Sequence, residues 1–163
     1  QADIEQKIAA LSANLDNAEN LGVIGYQVTY DNSDIQKIYA MRKKSVGILG
    51  KTKGAKKPIA FVEDTAVPPE NLADFIMEFR ALLDSHGLKY GMFGHVDAGV
   101  LHVRPALDMC DPEQEALVPK ISDQVVALVA KYGGLVWGEH GKGYRSEYGP
   151  QFFGEELFTE LRK

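Results

Sequence analysis

The order of apolar and polar positions along the chain follows two periods, one helical and one alternating. From Asp3 to Ala18 the apolar residues Ile4, Ile8, Leu11 and Leu15 recur every three or four positions, which predicts an amphipathic helix. Residues 23–30, Val-Ile-Gly-Tyr-Gln-Val-Thr-Tyr, are β-branched and aromatic and predict a strand. Asp31-Asn32-Ser33 then offers capping side chains for a second helix over 34–45, with Ile35, Ile38 and Met41 on one face. The stretch 50–57 holds two glycines and ends at Pro58, as an exposed loop would. Ile59-Ala60-Phe61-Val62 reads as a short buried strand. Pro68-Pro69-Glu70 opens a strongly periodic helix that runs to Ser85 and stops at Gly87.

The second half repeats the rhythm. Lys89–Gly94 and Val100–Arg104 predict two strands joined by a tight Asp97-Ala98-Gly99 turn, a β-hairpin. A helical region begins at Asp111-Pro112-Glu113 and runs to about Lys131, with Pro119 as an expected kink or joint, and Gly133-Gly134 ends it. Leu135-Val136-Trp137 leads into Gly138-Glu139-His140-Gly141-Lys142-Gly143, and Glu155–Arg162 forms a closing helix. Strands that alternate with helices in this way predict one α+β domain over 1–163, an antiparallel sheet with helices packed on one face.

Composition sharpens this picture. With 163 residues, 45% apolar and 25% charged, the chain can bury one core, and it lacks the run of about 18 apolar residues that a membrane span needs. A net charge of −5 argues against a nucleic-acid binder. The charge is uneven, because Arg42, Lys43, Lys44, Lys51, Lys53, Lys56 and Lys57 lie in an acid-free stretch. That stretch is either a lip attracting anionic hydroxy acids or anionic lipid, or a solvated loop. Cys110 is the single cysteine, so there is neither an intrachain disulfide nor a multi-cysteine zinc site, as expected in a reducing, cytoplasmic setting. The chain opens at Gln1 without a signal peptide or lipidation motif, and reads as a piece of something longer or a tag-cleaved product.

Two of the four histidines, His95 and His140, lie in the two segments where about half of the sixteen glycines gather, 87–99 and 133–143, and His102 follows the first of them closely. A two-residue Ala98-Gly99 loop would set His95 directly opposite His102, with Cβ atoms about 5 Å apart, close enough to share a metal ion. A longer loop would slip that register, and two solvated histidines fit the same spacing. Glu139-His140 sits among glycines that let a backbone approach a ligand closely, or simply form a turn. Taken together, His95, His102 and Glu139 make a two-imidazole, one-carboxylate set of the kind that holds catalytic zinc, manganese or iron with open positions. His140 is left as a general base, since imidazole titrates near neutral pH. The fourth histidine, His86, sits at a helix end.

These residues resemble a known family. The two-histidine hairpin followed by Arg104-Pro105, then Gly138-Glu139-His140-Gly141-Lys142-Gly143, is similar to the paired motifs in the C-terminal domain of FAD-linked oxidases of the vanillyl-alcohol-oxidase type. That group includes glycolate oxidase, D-lactate dehydrogenase and D-2-hydroxyglutarate dehydrogenase. Phe61-Val62-Glu63-Asp64-Thr65-Ala66-Val67-Pro68 resembles the strand and proline turn upstream in the same proteins. The likeness is greatest to a bacterial subgroup in which the flavoprotein is fused to an iron–sulfur domain.

The resemblance implies a ferredoxin-like substrate or cap domain that folds over FAD held by another domain of the same parent chain. No glycine-rich diphosphate loop follows a strand here, so no residue of this chain is assigned to the flavin, and the chain alone is expected to be inactive. The enzyme would oxidise a small anionic D-2-hydroxy acid to the 2-oxo acid, passing hydride to FAD. His95, His102 and Glu139 would bind the divalent metal, His140 would take the hydroxyl proton, and Arg42, Arg104, Lys142 and Arg145 would contact substrate. Arg42 reads equally as a solvated helix residue beside Lys43 and Lys44. Iron–sulfur clusters would lie elsewhere in the parent protein, and its place would be cytoplasmic, with peripheral contact at the inner face of the membrane.

Two departures from the family pattern bear on substrate identity. Asp97-Ala98-Gly99-Val100 stands where Gly-Asp-Gly-Asn is common, and Ser146 takes the place of a lysine, with Arg145 as its substitute. Two other readings are a stand-alone His/His/Glu metal-dependent hydrolase and a non-catalytic, ferredoxin-like ligand-binding module.

Overall fold

The computed structural model describes residues 2–19, 22–141 and 143–163. Its contacts divide the chain into two compact units, Gln1–Ser45 and Val46–Lys163.

The first unit contains α1 (Ala2–Asp16) and the greater part of α2 (Asn32–Gly50). Asp31 caps α2: its Oδ1 accepts from Ser33 N at 2.8 Å, Ser33 Oγ at 2.6 Å and Asp34 N at 3.2 Å. The strand expected over 23–30 is not formed; the segment has no regular secondary structure, and Ile24 is fully exposed at 104%. β-branched residues favour a strand only where a neighbouring strand supplies the ladder, and among the described residues none pairs with this one.

The second unit is α+β. Its central strand is β4 (Val100–Leu107), with β3 (Tyr90–His95) on one side and both β1 (Lys57–Pro58) and β2 (Thr65–Ala66) on the other, all antiparallel. Alternation sends Leu101, Val103 and Leu107 to one face, where they join the core with Phe75, Phe79 and Leu83 of α3 (Leu72–Ser85) and Ile121, Val125 and Val129 of α5 (Leu117–Lys131). The apolar residues Leu72, Phe75, Phe79 and Leu83 recur at helical spacing and are the buried stripe of α3.

Three sequence expectations shift here. The strand expected over 59–62 is displaced to β1 and β2. Between Pro58, opposite Ala106, and Thr65, opposite Leu101, the residues 59–64 face only 102–105 of β4. The two surplus residues force the chain to leave the ladder, and Phe61 and Val62 drop into the core instead.

Of the kink or joint expected at Pro119, the structure forms the joint. The break falls at Ala116, between α4 (Pro112–Glu115) and α5, which leaves Pro119 in the first turn of α5, where its missing N–H has no intrahelical partner to lose.

The hairpin connection is Val96–Gly99 rather than two residues, so His95 pairs with Val100 and Phe93 pairs with His102. Gly99 lies at φ +67°, and a Cβ there would stand 1.9 Å from the Val67 carbonyl oxygen, so only glycine fits this turn. The chain closes with α6 (Gly149–Phe153) and α7 (Glu155–Leu161), the latter at the place expected.

Candidate metal and proton-transfer site

The register differs from the expected one by two residues, which preserves side-chain parity. His95 and His102 therefore still share a face, as diagonal rather than opposed neighbours, with ring centroids 5.6 Å apart. His95 is partly exposed at the end of β3, while His102 is buried in the middle of β4. Glu139 completes the group. Its Oε1 lies 3.2 Å from His95 Nε2 and 2.8 Å from His102 Nε2, and one ligand atom from each of the three residues lies within 4.8 Å of the others.

Burial is the largest influence on the Glu139 carboxyl and acts to raise its pKa. The charge and hydrogen bond of His95, with those of His102, outweigh burial and hold it below the ordinary value. Ligands about 2.1 Å from a shared ion in tetrahedral array stand about 3.4 Å apart, close to these separations. Two imidazoles and one carboxylate, half open to solvent on the Glu139 side, thus fit a divalent cation. His102 Nδ1 is buried without a hydrogen-bond partner, so only its Nε2 side is committed, toward Glu139.

Sequence reasoning did not single out the residues that hold this loop in place. Asp64 is completely buried, and its carboxylate accepts three consecutive backbone N–H groups. Gly138 N donates to Oδ2 at 2.9 Å, Glu139 N to Oδ1 at 2.8 Å and His140 N to Oδ2 at 2.9 Å. Successive N–H groups turned to one side make an anion cradle, filled here by the protein's own side chain. Asp64 sits at φ +69°, a region that Asp tolerates better than most non-glycine residues. A Cβ at Gly138 would stand 2.9 Å from Asp64 Oδ1 and 3.0 Å from Val100 Cγ1, so its lack of a side chain is what admits the carboxylate.

Glu63, beside it, is also buried. Its Oε1 lies 3.1 Å from His140 Nδ1, and its Oε2 accepts from Arg104 Nε at 2.5 Å, giving a chain Arg104–Glu63–His140. His140 stacks on His102 at 4.9 Å between centroids, with its Nε2 3.7 Å from Glu139 Oε1. A hydrogen bond to the Glu63 carboxylate favours the tautomer with the proton on Nδ1, which would leave the lone pair on Nε2. Glu63, His102 and His140 form a second group with metal-ligand spacing that shares His102 with the first. The signal for Glu63 and Asp64 was two adjacent acids inside the otherwise apolar run 59–67.

Of the residues expected at the site, His95, His102, Glu139, His140, Arg104 and Arg145 are brought together. The Arg145 guanidinium is engaged internally, by the Glu63 carbonyl oxygen, by Gly141 O at 3.3 Å and by Asp64 Oδ2 at 3.9 Å. Burial pushes its pKa down, against the opposing pull of Asp64 and Glu63. Lys142 lies outside the described residues. Arg42 is on α2, in the first unit, where it lines a shallow pocket with Ile35, Ile38 and Tyr39. His86 bonds Gln124 Oε1 at 2.8 Å, a surface role. Cys110 is exposed. Among the described residues no helix is long and apolar enough to cross a membrane.

Comparison with known proteins meets this geometry from another direction. The D-2-hydroxyglutarate dehydrogenase of Escherichia coli (strain K12) is 69% identical over 166 residues, covering 100% of this chain and 16% of that protein. The D-2-hydroxyglutarate dehydrogenase of Pantoea ananatis (strain AJ13355) is 68% identical over 163 residues, covering 98% of this chain and 16% of that protein. A D-lactate dehydrogenase of Archaeoglobus fulgidus is 25% identical over 126 residues, 77% of this chain and 26% of its own length. The chain thus spans about 16% of the length of these two D-2-hydroxyglutarate dehydrogenases. Residues 1–163 match the family described as FAD linked oxidases, C-terminal domain, and the chain belongs to that family.

Proposed function

We propose that residues 1–163 are the substrate domain of a flavin-dependent dehydrogenase that oxidises a D-2-hydroxy acid to the 2-oxo acid, working with a flavin-binding domain elsewhere in the protein. The observation that carries this reading is the meeting of His140, its Nε2 3.7 Å from Glu139 Oε1, and the His95–His102–Glu139 group on one open face. FAD held by the other domain would supply the hydride acceptor. A divalent ion held by His95, His102 and Glu139 would lower the pKa of a coordinated hydroxyl.

The chain's own residues do the rest. His140 accepts the substrate hydroxyl proton at Nε2, while Glu63 holds the Nδ1–H and stabilises the imidazolium that results. Arg104, steadied by the other oxygen of Glu63, presents its guanidinium to the substrate carboxylate. Arg42 and Lys142 are further candidates for carboxylate contact. Arg145 acts from within, tying the 141–145 turn to Glu63 and Asp64. Cys110 is the only thiol, so iron–sulfur clusters, whose ligands are typically four cysteines, would lie in other segments of the protein.

The test is anaerobic reduction of the flavin in the full-length protein by D- and L-2-hydroxy acids, before and after removal of metal by a chelator. Bleaching by the D acid, lost with the metal and restored on its return, is expected. Metal-free protein of unchanged rate would overturn the metal assignment. Hydrolase turnover by residues 1–163 without flavin would overturn the reaction itself. Glu63→Gln is expected to slow flavin reduction by at least about tenfold, since Nδ1 then loses its charged partner. Single-turnover kinetics at saturating substrate would check this.

A further inference from the structure

The metal-ligating side chains fall into two overlapping groups. Besides His95, His102 and Glu139, the residues Glu63, His102 and His140 each present one ligand atom within 4.8 Å of the others, so His102 belongs to both. Glu63 and His102 are buried, while the His140 side chain is nearly half exposed and gives this second group a side open to solvent. Two imidazoles and a carboxylate suit a zinc ion, whereas magnesium and calcium take oxygen ligands.

The second group is already drawn together. Glu63 Oε1 and His140 Nδ1 stand 3.1 Å apart, close to the spacing of about 3.4 Å between neighbouring ligands of a tetrahedral ion. His102 reaches Glu139 through Nε2, and its Nδ1 is buried without a hydrogen-bond partner, so one nitrogen of the shared ring is still uncommitted. Two guanidinium groups oppose a further cation here. Arg104 Nε holds the other Glu63 oxygen at 2.5 Å, and Arg145 lies against the Glu63 carbonyl and 3.9 Å from Asp64 Oδ2. In the first group, by contrast, the Glu139 carboxylate faces three histidines. The first group therefore fills before the second.

We propose that Glu63, His102 and His140 form a second, weaker zinc site, and that filling it switches the protein off. The inhibition rests on the proposed proton transfer to His140; the binding does not. A cation bonded to Nδ1 uses the lone pair of that nitrogen, so the single proton of the neutral imidazole passes through solvent to Nε2. Nε2 is then a donor and no longer accepts the substrate hydroxyl proton. Glu63, drawn onto the same cation, stops orienting the ring. Sharing His102 couples the two groups, so binding is best counted where the first has been dismantled.

The experiment uses the full-length protein with zinc as the probe. Uptake is measured by equilibrium dialysis in the His95→Ala/Glu139→Ala variant, which keeps the second group, and in the same variant carrying Glu63→Gln or His140→Gln. One ion more than in either derivative is expected, and equal uptake by all three overturns the site. Because His140 is half exposed, His140→Gln keeps this comparison decisive even where Glu63→Gln fails to fold. In wild type, flavin reduction restored by one equivalent of zinc is expected to fall about a hundredfold in excess zinc, the low end of what a positioned base contributes. Dialysis back to one equivalent should restore it, and excess magnesium should leave it unchanged. A rate that holds in excess zinc overturns the switch. Equal inhibition by magnesium, or inhibition of Glu63→Gln at the same zinc concentration as wild type, overturns it too. If wild-type protein oxidises no 2-hydroxy acid, the reaction reading has failed, and the zinc count still decides the site.

Discussion

Replacing Asp64 by alanine is expected to destabilise residues 46–163 by about 3–5 kcal/mol, the scale for removing one partner from a buried charged network. Three backbone N–H groups, at Gly138, Glu139 and His140, give their hydrogen bonds to this one carboxylate, and Arg145 lies beside it. With a methyl group in its place, the Glu139 and His140 N–H groups lose their acceptor and Arg145 its charged neighbour, while Gly138 N keeps the Asp64 carbonyl and the guanidinium keeps those of Glu63 and Gly141. Alanine also fits poorly at φ +69°, where asparagine and aspartate are better tolerated. Asp64→Asn should therefore cost less than Asp64→Ala, but still more than a surface change, because its amide NH2 turns a donor toward one of the three N–H groups. Denaturant unfolding of the two variants beside wild type measures the order. An Asp64→Ala loss below about 1 kcal/mol, the size of a single ordinary hydrogen bond, would show that the loop does not depend on the cradle.

His140→Ala is expected to slow flavin reduction in the full-length protein by about 10²–10⁴-fold, the usual contribution of a positioned general base, with little change in stability. The side chain is nearly half exposed at 45%, so its removal opens no core cavity. What disappears is the acceptor at Nε2, together with the Glu63 contact at Nδ1 that sets its direction. His140→Gln keeps a polar side chain of similar reach without a basic nitrogen, and should be as slow as alanine. A glutamine variant near the wild-type rate would remove His140 from proton transfer. Metal analysis belongs in the same experiment: retained metal separates the loss of a base from a disturbance of His95, His102 and Glu139.

Much of the helical framework was legible because its cause is local. The stripe Leu72, Phe75, Phe79 and Leu83 has helical spacing in the sequence and is buried in α3, and Gly87 ends that helix region at φ +65°. The alternating residues of the hairpin were equally plain, and the types at its ends, His95 and His102, survive a register error because a shift of two leaves parity intact. The 23–30 segment misled for the opposite reason: strand propensity is realised only by a partner, which is a property of the fold.

The sequence by itself determined helical regions ending at Ser85 and Lys131, the hairpin, and the presence of two imidazoles, a carboxylate and a spare histidine in or beside two glycine-rich segments. Tertiary structure alone decided how those residues meet. The hairpin register depends on Gly99 fitting against the Val67 carbonyl, a contact from a different segment. The Glu139-His140 loop is held by Glu63 and Asp64, 74 to 77 residues away, and they reach it only because two surplus residues push the chain off β4 between β1 and β2. Contacts of such separation leave no periodic trace, since the chain between them can close the same loop in many ways at nearly equal entropic cost.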